Sequence, residues 1–156
     1  MFAMTPIVRP CELKDLPAVL GLLTQLEEVA HAQSDLKLER LRELFVEMAE
    51  RPEIYLNLVC EADGQVAGFL SMIFYRTFFH RGGTALVNEL VVDEKRRGLG
   101  LGQLLMQTAI TEALARDMDE IEVGTEEDNQ AAQTFYSRAG LNERYVLLGM
   151  EFETEE

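Results

Sequence analysis

Asn88-Glu-Leu-Val-Val-Asp-Glu-Lys-Arg-Arg-Gly-Leu-Gly-Leu-Gly-Gln-Leu-Leu105 contains, in order, a strand, a basic glycine turn and the start of a helix. The strand is marked by Leu86, Val87, Leu90, Val91 and Val92, which are apolar and mostly β-branched. A charged turn, Asp93 to Arg97, follows, and then glycines at the alternate positions Gly98, Gly100 and Gly102. Leu101, Leu104, Leu105, Thr108 and Ala109 then recur at helical spacing. A helix start leaves backbone N–H groups without partners, and glycine lets an anion approach them closely. Arg96 and Arg97 add positive charge at the same end. The stretch therefore reads as a binding site for a phosphate or pyrophosphate.

The spacing is not Gly-x-Gly-x-x-Gly, and no Gly-Lys-Ser/Thr closes the loop, so the dinucleotide and nucleoside-triphosphate fingerprints both fail. What stands there is Arg97-x-x-Gly100-x-Gly102. This resembles the acyl-CoA loop of the GNAT superfamily of N-acetyltransferases. A second block, Asn129-x-x-Ala132-x-x-Phe135-Tyr136-x-x-x-Gly140, resembles another segment of that family, with Leu141 where a phenylalanine is usual. The resemblance covers nearly the whole chain, Thr5 to about Phe152. It implies that Arg97, Gly98, Leu99, Gly100, Leu101, Gly102 and Gln103 cradle the pyrophosphate of acetyl-CoA. It implies that the strand backbone at Leu90, Val91 and Val92 pairs with the pantetheine arm, and that Asn129, Ala132 and Tyr136 also border the cofactor.

Acyl transfer from a thioester to an amine needs a deprotonated amine, a held carbonyl and a proton for the departing thiolate. Glu89 lies in the strand just before the turn, where several branches of the family place a glutamate that takes the amine proton. The same carboxylate would serve equally to orient an ammonium or pair with an arginine. Tyr136 sits where many relatives put a phenol beside the CoA sulfur, and the other reading is a packed aromatic residue. No covalent nucleophile stands out, because Cys11 and Cys60 lack a sequence neighbour that would activate them.

The chain has 156 residues, the size of one domain, and 47% are hydrophobic, ample for one core. No signal peptide is expected, and no apolar stretch approaches a membrane span. Two cysteines without metal or disulfide spacing, and only His31 and His80 as imidazoles, point to a cytoplasmic protein with reduced thiols and no metal. His31 reads as a surface or helix-end residue. The formal net charge of −14 argues against nucleic acid as a partner and is compatible with a cationic substrate.

Elsewhere, Thr5 to Arg9 reads as an edge strand ended by Pro10. Asp15 is expected to cap a helix whose Leu16, Val19, Leu20, Leu23 and Leu26 share a face. A second helix is expected from near Asp35 until Pro52 stops it. Tyr55–Glu61 and Gln65–Tyr75 read as a hairpin turned at Asp63-Gly64. Thr77 to Gly83 reads as an aromatic loop, Thr84 to Val92 as strand four and Ile121 to Thr125 as strand five. Leu141–Arg144 and Tyr145–Phe152 read as one broken or two adjoining strands.

These elements make a mixed α/β layer domain, mostly an antiparallel sheet with helices on both faces. The resemblance adds that strands four and five splay apart around the acyl-pantetheine. It implies an acetyl-CoA-dependent N-acetyltransferase, and a homodimer through the C-terminal strands is its usual companion. A small cationic amine is the expected acceptor, with determinants in the first two helices and the Thr77 to Gly83 loop. Glu27, Glu28, Asp35, Glu126 and Glu127 fall in segments bordering that side. A peptide acceptor, or a non-catalytic acyl-CoA-sensing or partner-binding module, remains open at this level.

Overall fold

Alternation along one strand separates the layers in the computed structural model, which describes residues 5–30 and 34–153. The elements are β1 (Ile7–Pro10), a 3-10 turn (Leu13–Asp15), α1 (Leu16–Ala30), α2 (Leu38–Ala49), β2 (Tyr55–Ala62) and β3 (Gln65–Tyr75). They continue with β4 (Thr84–Val92), a 3-10 turn (Glu94–Arg96), α3 (Leu101–Ala115), β5 (Glu120–Val123) and α4 (Gln130–Arg138). Phe69 of β3 joins Val59, Val91 and the α1 residues Leu16, Val19 and Leu22 on one face of the sheet. Leu70, Met72 and Phe74 join Leu105, Met106 and Ala109 of α3 on the other. Side chains in a strand point alternately to the two faces, so β3 must be apolar almost throughout to serve both layers.

α3 lies close on the sheet. A Cβ built at Gly68 would sit 2.9 Å from Leu105 Cδ1, so only glycine permits this approach without movement. Gly102 within α3 costs about 1 kcal/mol relative to alanine. Leu101, Leu105 and Met106 are all fully buried, and at about 1.5–3 kcal/mol each they outweigh that cost.

The sheet runs in the order β1-β2-β3-β4-β5. Every pair is antiparallel except β4–β5, which is parallel. The β2–β3 hairpin turns at Asp63 (φ 53°) and Gly64 (φ 74°), the positive values that a two-residue turn requires. In the β3–β4 ladder Ser71 opposes Glu89 and Met72 opposes Val87, so Asn88 is an extra residue in β4. Such a bulge bends the strand that carries it. The β4–β5 ladder runs only from Thr84–Glu120 to Val87–Val123 and stops at the bulge. Beyond it β4 continues to Val92 without β5 beside it. This is the splay expected of strands four and five.

Three local expectations are corrected. Asp15 does not serve as an isolated cap for α1. It ends the 3-10 turn, its carboxylate accepts the Glu12 N–H at 2.8 Å, and Arg9 of β1 donates to both its oxygens at 2.7 and 2.8 Å. Asp15 is buried, and Arg9 holds its carboxyl below the usual range. The pair ties β1 to the entry of α1, and losing either partner would leave the other charge poorly compensated. The second helix begins at Leu38 rather than near Asp35. The C-terminal segment forms no strand: Val146, Leu147 and Leu148 are 87–89% exposed. A strand needs a ladder partner, and no described edge of this chain accepts the segment. The reading of His31 lies outside the described residues.

Candidate active site

The glycine turn follows directly from the free end of β4, and its start is clamped from three sides. The Asp93 N–H donates to the Ala67 carbonyl at 2.8 Å, and the Asp93 carboxylate accepts the Lys95 N–H at 3.3 Å. Gln25 of α1 accepts the Glu94 N–H at 3.0 Å and donates to Asp93 at 3.4 Å. Past this clamp the chain opens. Gly98 (φ 82°) and Gly100 (φ 79°) take the left-handed conformation, and a Cβ at either would meet no atom within 4 Å. Their role is conformation and clearance. Gly102 differs, since its Cβ would meet the Phe135 ring at 3.4 Å, so its role is the packing of α3 on α4.

The first helical bond of α3 runs from the Leu104 N–H to the Gly100 carbonyl at 3.1 Å. The N–H groups of Leu101, Gly102 and Gln103 therefore precede the helical ladder and face the turn. Leu101 is buried and Leu99 largely exposed, so Leu101 offers backbone rather than side chain to a ligand. The cations divide. Arg96 is spent on structure, donating to the Ala62 carbonyl and Gln65 Oε1 at 3.0 Å and pairing with Asp63 at 3.5 Å. Lys95 and Arg97 are exposed and form no ion pair among the described residues. The sequence reading counted Arg96 toward the anion; the structure gives it to the β2–β3 turn.

On the α1/α2 face, Glu89 and Asn88 border a cavity of about 370 Å³ between these helices and the sheet. Ser71 and Asn57 contribute further polar groups. Burial raises the Glu89 carboxyl above its ordinary 4.5, and a hydrogen bond with Ser71, opposite it in the ladder, offsets part of that rise. Both expected helices line the cavity, but the Thr77 to Gly83 loop does not, and its Phe78 and Phe79 are fully exposed. Of the acidic residues expected near the acceptor, Glu27 lines the cavity, whereas Glu28, Asp35, Glu126 and Glu127 do not.

The second motif builds α4. Asn129 Oδ1 accepts the Ala132 N–H at 3.1 Å, which caps the helix and occupies the Asn129 side chain. Gly140 (φ 106°) ends the segment, and the Leu141 N–H returns to the Tyr136 carbonyl at 3.0 Å. Phe135 and Tyr136 meet edge to face, with centroids 5.2 Å apart and planes at 71°. Burial pushes the Tyr136 phenol up to about 12, so it stays protonated at neutral pH, and its hydroxyl has no hydrogen-bond partner among the described residues. Cys11 and Cys60 are buried free thiols. Burial raises both, Cys11 to about 12, the opposite of what a nucleophilic thiolate needs.

Sequence reasoning missed Ser71, Asn57, Asn88 and Gln25. A lone hydroxyl in the apolar run Phe69-Leu-Ser-Met-Ile-Phe74 was the one available signal. The Asn88 bulge and the Gln25 clamp depend on register and helix placement.

Residues 20–141 match the model of the Acetyltransferase (GNAT) family. Glucosamine 6-phosphate N-acetyltransferase 1 of Oryza sativa subsp. japonica is 31% identical over 149 residues, covering 93% of this chain and 86% of that protein. A mycothiol acetyltransferase of Clavibacter michiganensis is 35% identical over 91 residues, 58% of this chain but only 28% of its own length. Among solved structures, glucosamine-6-phosphate N-acetyltransferase from Arabidopsis thaliana superposes with a TM-score of 0.81 at 20% identity, covering 96% of this chain and all of that one. At that identity the likeness speaks for the fold alone.

The open space at Gly100 makes a direct prediction. Acetyl-CoA at a hundredfold excess over its Kd should stabilise the protein by about 2.7 kcal/mol, seen as a rise in Tm. Gly100→Asp adds a side chain and a negative charge where the anion must approach, and should abolish the rise. A folded Gly100→Asp protein with an unchanged shift would put the donor elsewhere.

Proposed function

The chain belongs to the GNAT family of acetyl-CoA-dependent N-acetyltransferases, and from that premise we propose that it acetylates the primary amine of a small molecule by direct attack, as one catalytic domain. One observation carries this reading. A single strand, β4, brings an open edge, an anion-accepting turn and a partly buried carboxylate together within Glu89–Gly102. The fit to the donor rests on the same features. Gly98 and Gly100 leave clearance, the first N–H groups of α3 and the side chains of Lys95 and Arg97 offer donors to a pyrophosphate, and the Leu90–Val92 backbone lacks a strand partner on its β5 side.

Bound acetyl-CoA supplies the acetyl group as a thioester. In the proposed reaction the amine nitrogen forms a bond to the acetyl carbon, the carbon–sulfur bond breaks, and amide and free CoA thiol result. Glu89 takes a proton from the amine. Its raised pKa suits the role, because a carboxylate of ordinary pKa is a weaker base. Tyr136, protonated at neutral pH, donates its hydroxyl hydrogen to the departing sulfur. The buried, protonated cysteines favour direct attack over a covalent acyl-enzyme. Free thiols at Cys11 and Cys60 also fit a cytoplasmic setting.

Tyr136→Phe should lower kcat by roughly ten- to a thousandfold with the acetyl-CoA Kd little changed, since the phenol acts in the transition state. Glu89→Gln should abolish the acidic limb of the pH profile of kcat/KM. It should also change stability with a defined sign. Above the ordinary pKa of 4.5 the unfolded chain releases this proton before the folded chain does, so wild-type stability falls as pH rises through that window. Glu89→Gln should therefore have the higher Tm at pH 7, with the difference closing below about pH 4.5. Full kcat in both variants would remove these residues from the mechanism.

A homodimer is the second part of the proposal, favoured by the C-terminal arm. Val146, Leu147, Leu148, Met150 and Phe152 are 79–89% exposed, while the outer edge of β5 pairs with no described strand and α4 buries no residue fully. A second copy that lends its arm to this edge would cover both surfaces. Sedimentation should give twice the chain mass at micromolar concentration, and Val146→Glu combined with Leu148→Glu should give the single-chain mass. A wild-type monomer at that concentration contradicts the dimer.

A further inference from the structure

We infer that the acceptor is an amphipathic monoamine, with its ammonium end at Glu89 and an apolar body lodged between α1 and α2. The inference rests on the N-acetyltransferase reading and concerns what the cavity beside Glu89 selects. Polar groups gather on the sheet side of that cavity: Asn57, Ser71, Asn88 and Glu89. The remaining walls are mostly apolar, from Leu23 and Leu26 of α1, Leu44, Phe45 and Met48 of α2, and Phe69 of β3. Except for Phe69, these wall residues are only partly buried, so part of their surface stays outside the core that Leu23, Leu26 and Phe45 pack against. At about 370 Å³ the cavity has the size of a small-ligand site.

Charge narrows the choice. The charged lining residues are Glu27 and Glu89, both acidic, and no lysine or arginine lines the cavity among the described residues. A phosphate-bearing acceptor such as a sugar phosphate would enter beside two carboxylates with no cation to receive it. Beyond the polar groups on the sheet side, a polyhydroxylated body would lose its water to leucine, phenylalanine and methionine walls that return no hydrogen bonds. A diamine's second ammonium would have to reach the one other carboxylate in the described lining, Glu27, and would lose its water against apolar walls anywhere short of it. An alkyl or aryl body meets none of these costs and gains from burial.

The test uses the intact protein with saturating acetyl-CoA and follows thiol release. The panel is the n-alkylamines from butylamine to octylamine, 2-phenylethylamine, glucosamine 6-phosphate and spermidine. Each methylene moved from water to an apolar wall is worth up to about fourfold, so kcat/KM should climb two- to fourfold per carbon until the cavity is filled. The best apolar amine should exceed glucosamine 6-phosphate and spermidine by at least tenfold. Leu26→Lys, at a partly buried wall position, should cut that best value tenfold or more and leave the acetyl-CoA Kd unchanged. A flat alkyl series, or a tenfold advantage for the sugar phosphate or polyamine, overturns the inference and leaves the acetyltransferase reading standing. Calorimetry with octylamine covers the case of no turnover with any amine. Binding there supports the apolar site and counts against acetyl transfer, whereas absence of binding overturns the inference as well.

Discussion

The short partnership of β4 and β5 is the constraint on which the rest of the structure depends. Their parallel ladder ends at Val87–Val123, where the Asn88 bulge bends β4. A strand that runs on without a neighbour presents unpaired backbone groups, and such groups must meet water, another strand or a ligand. The proposed site answers this with an extended ligand arm along the edge. The bulge also sets the direction of the residues around it, since Asn88 and Glu89 both border the cavity on the α1/α2 face. A regular strand would send two successive side chains to opposite faces.

Charge is arranged in keeping with this geometry. The chain carries a formal −14, and CoA is itself a polyanion, so the donor end needs local compensation. Lys95, Arg97 and the start of α3 stand at the mouth of the glycine turn, where the proposed site would use them for it. The cavity on the other side of β4 carries only carboxylates among its described charged lining residues. In the proposed reaction an anionic donor and a cationic amine head would be drawn to separate places, with β4 between them. Within the cavity the apolar walls have a second effect. They raise the Glu89 pKa by keeping water from its carboxylate, which makes it a stronger base and costs folding stability.

What could be read in the sequence was what short-range chemistry decides. The Asp63-Gly64 turn and the glycine run before α3 depend on φ values within a few residues, and each stands where it was expected. Residues whose role comes from distant partners were misread or missed. Arg96 looked like part of an anion site because it adjoins Arg97, yet its partners lie in the β2–β3 turn. Asp15 looked like a simple cap because no local motif shows Arg9, six residues earlier, turning back onto it. Ser71 and Asn57 gained meaning only when the register put Ser71 between Asn57 and Glu89. The C-terminal arm has the composition of a strand and pairs with no described edge of its own chain, so propensity alone misled there.

Hydrogen exchange of the backbone amides, with and without acetyl-CoA, tests most directly the claim that the open edge of β4 and the turn after it receive the donor. The account predicts slowed exchange in Glu89–Val92 and Gly98–Gln103 on adding acetyl-CoA, with the Leu38–Ala49 helix unaffected. Protection confined to Leu38–Ala49 and the rest of the cavity wall, with unchanged exchange along β4 and the turn, would contradict it.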